Sequence, residues 1–598
     1  MIEPRIYRAA FLPALFALVL VAFSLASPPH ALEQGPAADV LFEGTTVIDR
    51  VRSLVRAAPD RRAGGPGDRA TAASVASSFR GSGFSTSVDR FDDDGRQLVN
   101  VVGRRAGEST RAVLVVAARD SDRPPDAPGS AADTAALMEF ARVFEGRLLG
   151  RTLILASVDG GALGDAGVRR LVDRLGDRSD VEAAIVMSDL GAKRSRGPLV
   201  LGWSNGTERT GIGLERTVTA SLREEVASVP SQDSTLAQFA RLSFPIAPGG
   251  QGVLLDSGLD AIRVSGAGET ALGGGQLGDV EVERYGELGR AVLRMIGTLD
   301  ASKREPARGP RSYLTLGGMV LPAWVLQLLA ITLALPALIA SVDALARARR
   351  HREAVAPWIA WLAASIAPFA LAIVLAWVLA LAGLIDDAPP APLDPRVVEL
   401  DSGATGALIA VVLAAGLGWA LGRTRLARRA GLAGDATARG AASASALVLS
   451  AFTLAIAFVN PFAALVLVPA AHLWMLATLT RAGPRASVAL AVVGLLPLLA
   501  VVAYYMWRLD LPPPRAAYYL LLLVTGNQTG LPTTVVLCVL LGVTLSVATI
   551  LVARVRAGVG PPEPGERVAD EPQQSIFGPG GHAGPGMLGG TESSRVRR

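Results

Sequence analysis

The chain has 598 residues, 50% of them hydrophobic, and its 58 basic and 53 acidic side chains leave a net charge of +5. That length excludes a single domain, that apolar share excludes a wholly soluble protein, and a single cysteine excludes an internal disulfide. The basic residues are nearly all arginine, Lys193 and Lys303 being the only lysines, and many sit in clusters beside apolar segments, a pattern that favours membrane topology over a nucleic-acid surface.

Arg5 and Arg8 precede an apolar run over 9–26, which Pro28 and Pro29 close. Residues 1–30 therefore read as an N-terminal signal anchor or as a signal peptide cut near Ser24, Leu25 and Ala26, and either exports the domain downstream of it. An α/β domain is expected over 39–300. It opens with an amphipathic helix at 40–56, a glycine-rich loop at 64–67, a helix at 70–79 and a strand at 85–91. The β-branched apolar runs 112–117 and 152–158 have the length of buried strands, and 131–145 between them carries Leu137, Phe140, Ala141 and Phe144 at helical spacing. That is a strand, helix, strand unit of a doubly wound sheet. A helix running to Leu175, strands at 183–187 and 199–203, and a closing helix at 282–299 complete the domain.

The stretch from Asn100 to Gly167 resembles metallopeptidase family twenty-eight, the zinc-dependent aminopeptidases and carboxypeptidases. That family reads roughly Asn-Val-hydrophobic-Gly, Ala-His-x-Asp-Ser, Pro-Gly-Ala-x-Asp-Asn and Asp-Gly-Glu-Glu-x-Gly; here 100–103, 117–121, 128–133 and 159–164 take those places. The resemblance implies an aminopeptidase-like mixed sheet sandwiched by helices. It also implies which positions once served a metal. The family's first metal-binding His falls on Ala118, its bridging Asp on Ala132 and its paired glutamates on Gly161 and Ala162. Asp120 and Asp189 are retained, and the last ligand position falls near Gln251. Independently of any resemblance, His30, His351, His472, His582 and Cys538 all lie outside 39–311. Hydrolytic zinc sites draw on His or Cys in nearly every case, so no metal or other cofactor is expected and these seven positions form a vestigial site without catalytic residues.

Residues 301–318 form a polar linker, and 319–556 are an all-α polytopic bundle of about seven spans. The spans are placed at 319–342, 358–384, 404–421, 441–459, 462–479, 487–505 and 533–555, with one short re-entrant or interfacial helix at 516–524. Arginine-rich turns at 347–352, 423–429, 481–485 and 554–556 alternate with arginine-poor loops at 386–402 and 508–515. The positive-inside rule puts the arginine turns in the cytoplasm, the α/β domain outside the plasma membrane and the tail, 557–598, inside and disordered. His472 lies mid-span after Pro469, and an ionisable group there is a functional candidate. Gly202, Ser204 and Gly206 match a nucleophile elbow, but no histidine stands in the domain to take the serine proton.

An exported aminopeptidase-like domain fused to a bundle resembles, in architecture, the endoplasmic-reticulum membrane metallopeptidase and the aminopeptidase-like subunit of the GPI transamidase. The expected function is that of a lapsed peptidase whose outer domain binds or presents a peptide, protein or envelope component. A transporter or channel with an accessory outer domain and an active hydrolase with an unrecognised site are the alternatives. The expected partners are membrane lipid and a protein or peptide outside the membrane, with no nucleic acid.

Overall fold

The computed structural model describes residues 3–35, 42–193, 199–227, 229, 233–270, 274–352, 355–386, 388–396, 398–425, 439–480 and 482–556. The expected helix start at 40–41, the turn residues Arg429 and Arg481 and the tail from 557 lie outside the described residues.

After the N-terminal helices α1 (Pro4–Ala9) and α2 (Leu12–Phe23), the α/β domain begins with α3 (Gly44–Ala57) and α4 (Pro66–Gly81). Strands β1 (Ser85–Asp93) and β2 (Arg96–Arg105) form a hairpin. Its two-residue turn is Asp94 and Gly95, both at positive φ, the conformation that matches strand twist in tight hairpins. Next come β3 (Ser109–Ala118), α5 (Ala132–Val143), β4 (Arg151–Val158), α6 (Ala166–Arg174), β5 (Val181–Ser188) and the short β6 (Val200–Leu201). Helices α7 (Ile212–Glu225), α8 (Thr235–Ser243) and α9 (Gly250–Asp256), strand β7 (Ala261–Ser265) and helix α10 (Val282–Ala301) complete the domain.

The sheet order is β1-β2-β4-β3-β5-β7-β6, with β4, β3, β5 and β7 parallel and the remaining pairs antiparallel. Because side chains alternate along a strand, β3 feeds two cores: Val113, Val115 and Ala117 pack under α5 and α10, while Ala112, Leu114 and Val116 pack against α6 and α9. The result is a mixed sheet sandwiched by helices. The parallel strands β3, β4 and β5 all end at the same edge, and the turns beyond them face the membrane half.

A hairpin of β8 (Tyr313–Leu316) and β9 (Met319–Pro322) leads into the bundle. Residues 319–322, read from sequence as the start of a span, are strand, since Pro322 is in extended conformation and helix begins only at Ala323. The bundle comprises α11 (Ala323–Arg350), α12 (Ala356–Leu381), α13 (Ser402–Leu417), α14 (Arg439–Val459), α15 (Pro461–Leu479), α16 (Pro484–Arg508), α17 (Pro513–Thr525) and α18 (Gly530–Arg556). Among the described residues, eight helices are long and apolar enough to cross a membrane, the N-terminal pair counting as one and the 13-residue α17 not among them. Leu413, Leu496 and Val552 are about half exposed on the bundle's outside, as a lipid-facing surface requires.

Both ends of the bundle are tied. On the side of the α/β domain, Asn460 donates to the Leu242 carbonyl at 2.9 Å while its Oδ1 caps α15, and the Tyr505 hydroxyl donates to the Phe244 carbonyl at 2.5 Å. Arg508 pairs with Glu269 at 2.8 Å, and Glu269 also pairs with buried Arg241. At the opposite end Arg554 donates to the carbonyls of Ala477 and Thr478, and Arg423 to Thr549.

Candidate functional site

The chain turns after β3 and β4 bring Ala118, Asp120, Gly161 and Ala162 together. Asp120 lies just past the end of β3, and its carboxylate accepts from the backbone N–H of Gly161 at 2.8 Å and of Ala162 at 3.1 Å. Ala118 is so near that a Cβ built on Gly161 would lie 2.8 Å from its own. Burial, and next the neighbouring Asp159, push the Asp120 carboxyl up to about 6, against the two amides that favour its charge.

The turn after β5 is built by the same device. Asp133, in the first turn of α5, accepts from the N–H of Asp189 at 2.8 Å and of Leu190 at 2.9 Å, which fixes Asp189 at φ +55°. Ala132 is fully buried beside it; its carbonyl accepts the Tyr285 hydroxyl at 2.7 Å, and its Cβ stands 3.1 Å from where Gly191 would carry one. Burial and the Asp189 charge raise the Asp133 carboxyl well above the carboxylate range.

Gln251 sits at the start of α9 and donates to the Pro248 carbonyl at 3.3 Å. Its neighbour across the loop is Arg263 of β7, whose guanidinium donates to the carbonyls of Pro248 at 3.1 Å and Glu269 at 2.5 Å. Burial lowers the Arg263 pKa, and Glu269, Asp394, Asp189 and Asp165 oppose that in decreasing order. Asp165 is in turn pushed up to about 7 by its burial, with Arg263 pulling the other way.

Two arginines of this region escape sequence reasoning. Arg263 is a lone charge in an otherwise apolar strand, and that mismatch is the signal that could have found it. Arg119 comes directly after β3 and is fully buried, paired with Asp68 at 2.8 Å and Asp159 at 3.4 Å and donating to the carbonyls of Ser157 and Val99. Burial pushes Asp68 up to about 8 even beside that guanidinium.

Outside this region, the His472 ring bonds the Tyr7 hydroxyl at 2.7 Å and the Leu333 carbonyl at 2.8 Å, so both nitrogens are engaged between α15, α1 and α11. Ser204 donates to the Glu208 carbonyl at 2.8 Å and accepts from the Gly206 N–H, which makes its motif a turn.

No protein-family model and no curated protein matches the chain. Solved structures similar to its N-terminal half include a zinc aminopeptidase from Bacillus subtilis, at 11% identity, TM-score 0.37, covering 45% of this chain and 98% of that one. A glutaminyl cyclase from Porphyromonas gingivalis aligns at 17% identity and TM-score 0.32, over 43% and 98% of the two chains. A leucine aminopeptidase precursor from Bacteroides thetaiotaomicron aligns at 14% identity and TM-score 0.36, over 44% and 99%.

The zinc that the sequence resemblance implies does not fit the side chains present. Ala118, Ala132, Gly161 and Ala162 offer no donor atom, and both Asp120 oxygens accept backbone N–H groups. Among the described residues no group of three or more His, Cys, Asp or Glu side chains is arranged to hold a metal ion. The region instead has a fixed guanidinium, two turns locked by carboxylates and partly exposed Ala118, Gly161 and Ala162 between them. Such a surface can recognise shape, main-chain hydrogen bonds and a carboxylate.

Proposed function

We propose that this is a membrane protein whose α/β domain, placed outside the cytoplasmic membrane, binds or presents a peptide, protein or envelope component without hydrolysing it. One observation carries the reading: Asp120 and Asp133 each accept from two consecutive amides. Carboxylates used in this way hold turns in shape, and no His or Cys stands in the domain beside them to complete a hydrolytic zinc site. The arginine turns at the far end of the bundle support the outward placement of the domain.

The test is capture of envelope components by the detergent-solubilised full chain. Ala162 is partly exposed at the centre of the region, so Ala162→Trp fills the surface and should abolish capture with the melting temperature unchanged. Asp189→Asn should retain capture. Loss of capture in Asp189→Asn at an unchanged melt would contradict the reading and return an acid-base role to that carboxylate.

A further inference from the structure

Between α12 and α13 the chain leaves the bundle and runs as residues 388–396 (APPAPLDPR) along the edge where the β-strands end. Gly164 and Arg123 of the α/β domain bind it there. A Cβ built on Gly164 would lie 2.5 Å from Pro389 Cγ and 2.9 Å from the Ala391 oxygen, so the segment touches the bare backbone of the turn that carries Gly161 and Ala162. Gly164 is at φ +62°, which glycine alone adopts freely. Arg123, just past Asp120, donates to the Arg396 carbonyl at 3.2 Å and pairs with Glu399 at 3.2 Å. The Asp394 charge acts on Arg263 alongside Asp189 and Asp165.

From below, α17 holds the same segment. Tyr519 donates to the Leu393 carbonyl at 2.9 Å and Gln528 to the Pro389 carbonyl at 2.5 Å, and Gly526 lies against Ala388. Ala391, Pro392 and Pro395 are buried. A proline-containing, non-helical segment whose main-chain carbonyls accept from side chains on both sides of it has the contact pattern of a bound peptide.

We propose that residues 388–396 are the resident occupant of this strand-end surface, an internal peptide that straps it and that an external proline-containing, carboxylate-bearing segment must displace. This rests on the binding role proposed above and specifies its ligand class. A tethered strand competes at an effective concentration on the order of 1 mM, so a free peptide with an intrinsic Kd of about 100 μM binds the strapped protein about tenfold more weakly.

The experiment uses the full chain in detergent and a fluorescent nine-residue peptide with the sequence of residues 388–396. A variant with these residues replaced by an equal length of Gly and Ser should bind the peptide saturably and about tenfold more tightly than wild type. Adding Arg123→Ala to that variant should weaken binding again. Because the loop also packs against α17, the double variant Arg123→Ala, Asp394→Asn serves beside it. That variant keeps the loop length and should show a higher rate of exchange of bound peptide than wild type. Failure of the folded Gly/Ser variant to bind, or equal binding by wild type, would overturn the proposal, as would an unchanged exchange rate in the double variant if the Gly/Ser chain does not fold. Peptide binding without any capture of envelope components would leave the strap standing and refute the external binding role instead.

Discussion

Asp120 and Asp133 perform one task on adjacent turns, since each presents two carboxylate oxygens to two successive N–H groups. An amide cannot replace that pair, because its NH2 would face a donor. Asp120→Asn should therefore cost about 1 kcal/mol through one part-buried N–H left without its acceptor. The pH dependence has a definite sign. The Asp120 carboxyl is held at about 6 in the folded chain, above the ordinary value near 3.9. Its contribution to stability is thus fully present below about pH 4 and is lost as pH rises through 6. Thermal melts from pH 4.5 to 7.5 should show a shallower decline for Asp120→Asn than for wild type; parallel curves would contradict this placement of the charge. At this scale the sequence was legible where chemistry was missing. Alanines and glycines at 118, 132, 161 and 162 could be read directly. The buried arginines could not, since a charge beside an apolar run reads as the end of a strand, and only the folded chain shows Arg119 between Asp68 and Asp159.

The elements with a strong period were the readable ones. Strands β3, β4 and β5 and helices α5 and α10 lie within a few residues of where apolar spacing puts them. Helices α7 to α9 and strand β7 carry no clear period, because they alternate short polar and apolar pieces between glycines, and the charged Arg263 interrupts β7. The Asp94-Gly95 pair is the sequence signal for the first hairpin. Helix α17 is the element on which membrane topology turns. Its Tyr518 bonds Asp386, Tyr519 bonds Leu393, and Gln528 beyond its end bonds Pro389, so its middle and its C-terminal side meet one loop on one side of the bundle. At about 1.5 Å per residue its 13 residues also fall short of a hydrocarbon core of about 30 Å. Reporters inserted after Asp510 and after Asn527 should give the same side. Opposite sides would mean that α17 crosses and that the sidedness of α18 must be reversed.

As a whole the molecule is an α/β domain fastened to a bundle at three corners, through Asn460, Tyr505 and the Glu269 ion pairs, with the loop at 388–396 laid over the strand ends. Arg241 and Arg508 share Glu269, and together they hold its carboxyl below the usual range against the cost of burial. None of these long-range ties is legible in sequence, because each joins residues more than 200 positions apart or elements whose periodicity describes only their own faces. What the composition did show is that the domain has no histidine or cysteine, and among the described residues no group of carboxylates is arranged to replace them. The most direct measurement is elemental analysis of the purified full chain after incubation with excess zinc and dialysis, with aminopeptidase activity read on the same sample. A non-hydrolytic surface predicts zinc far below one atom per chain and no cleavage, whereas about one or two retained zinc atoms with turnover, as a hydrolytic centre requires, would contradict it.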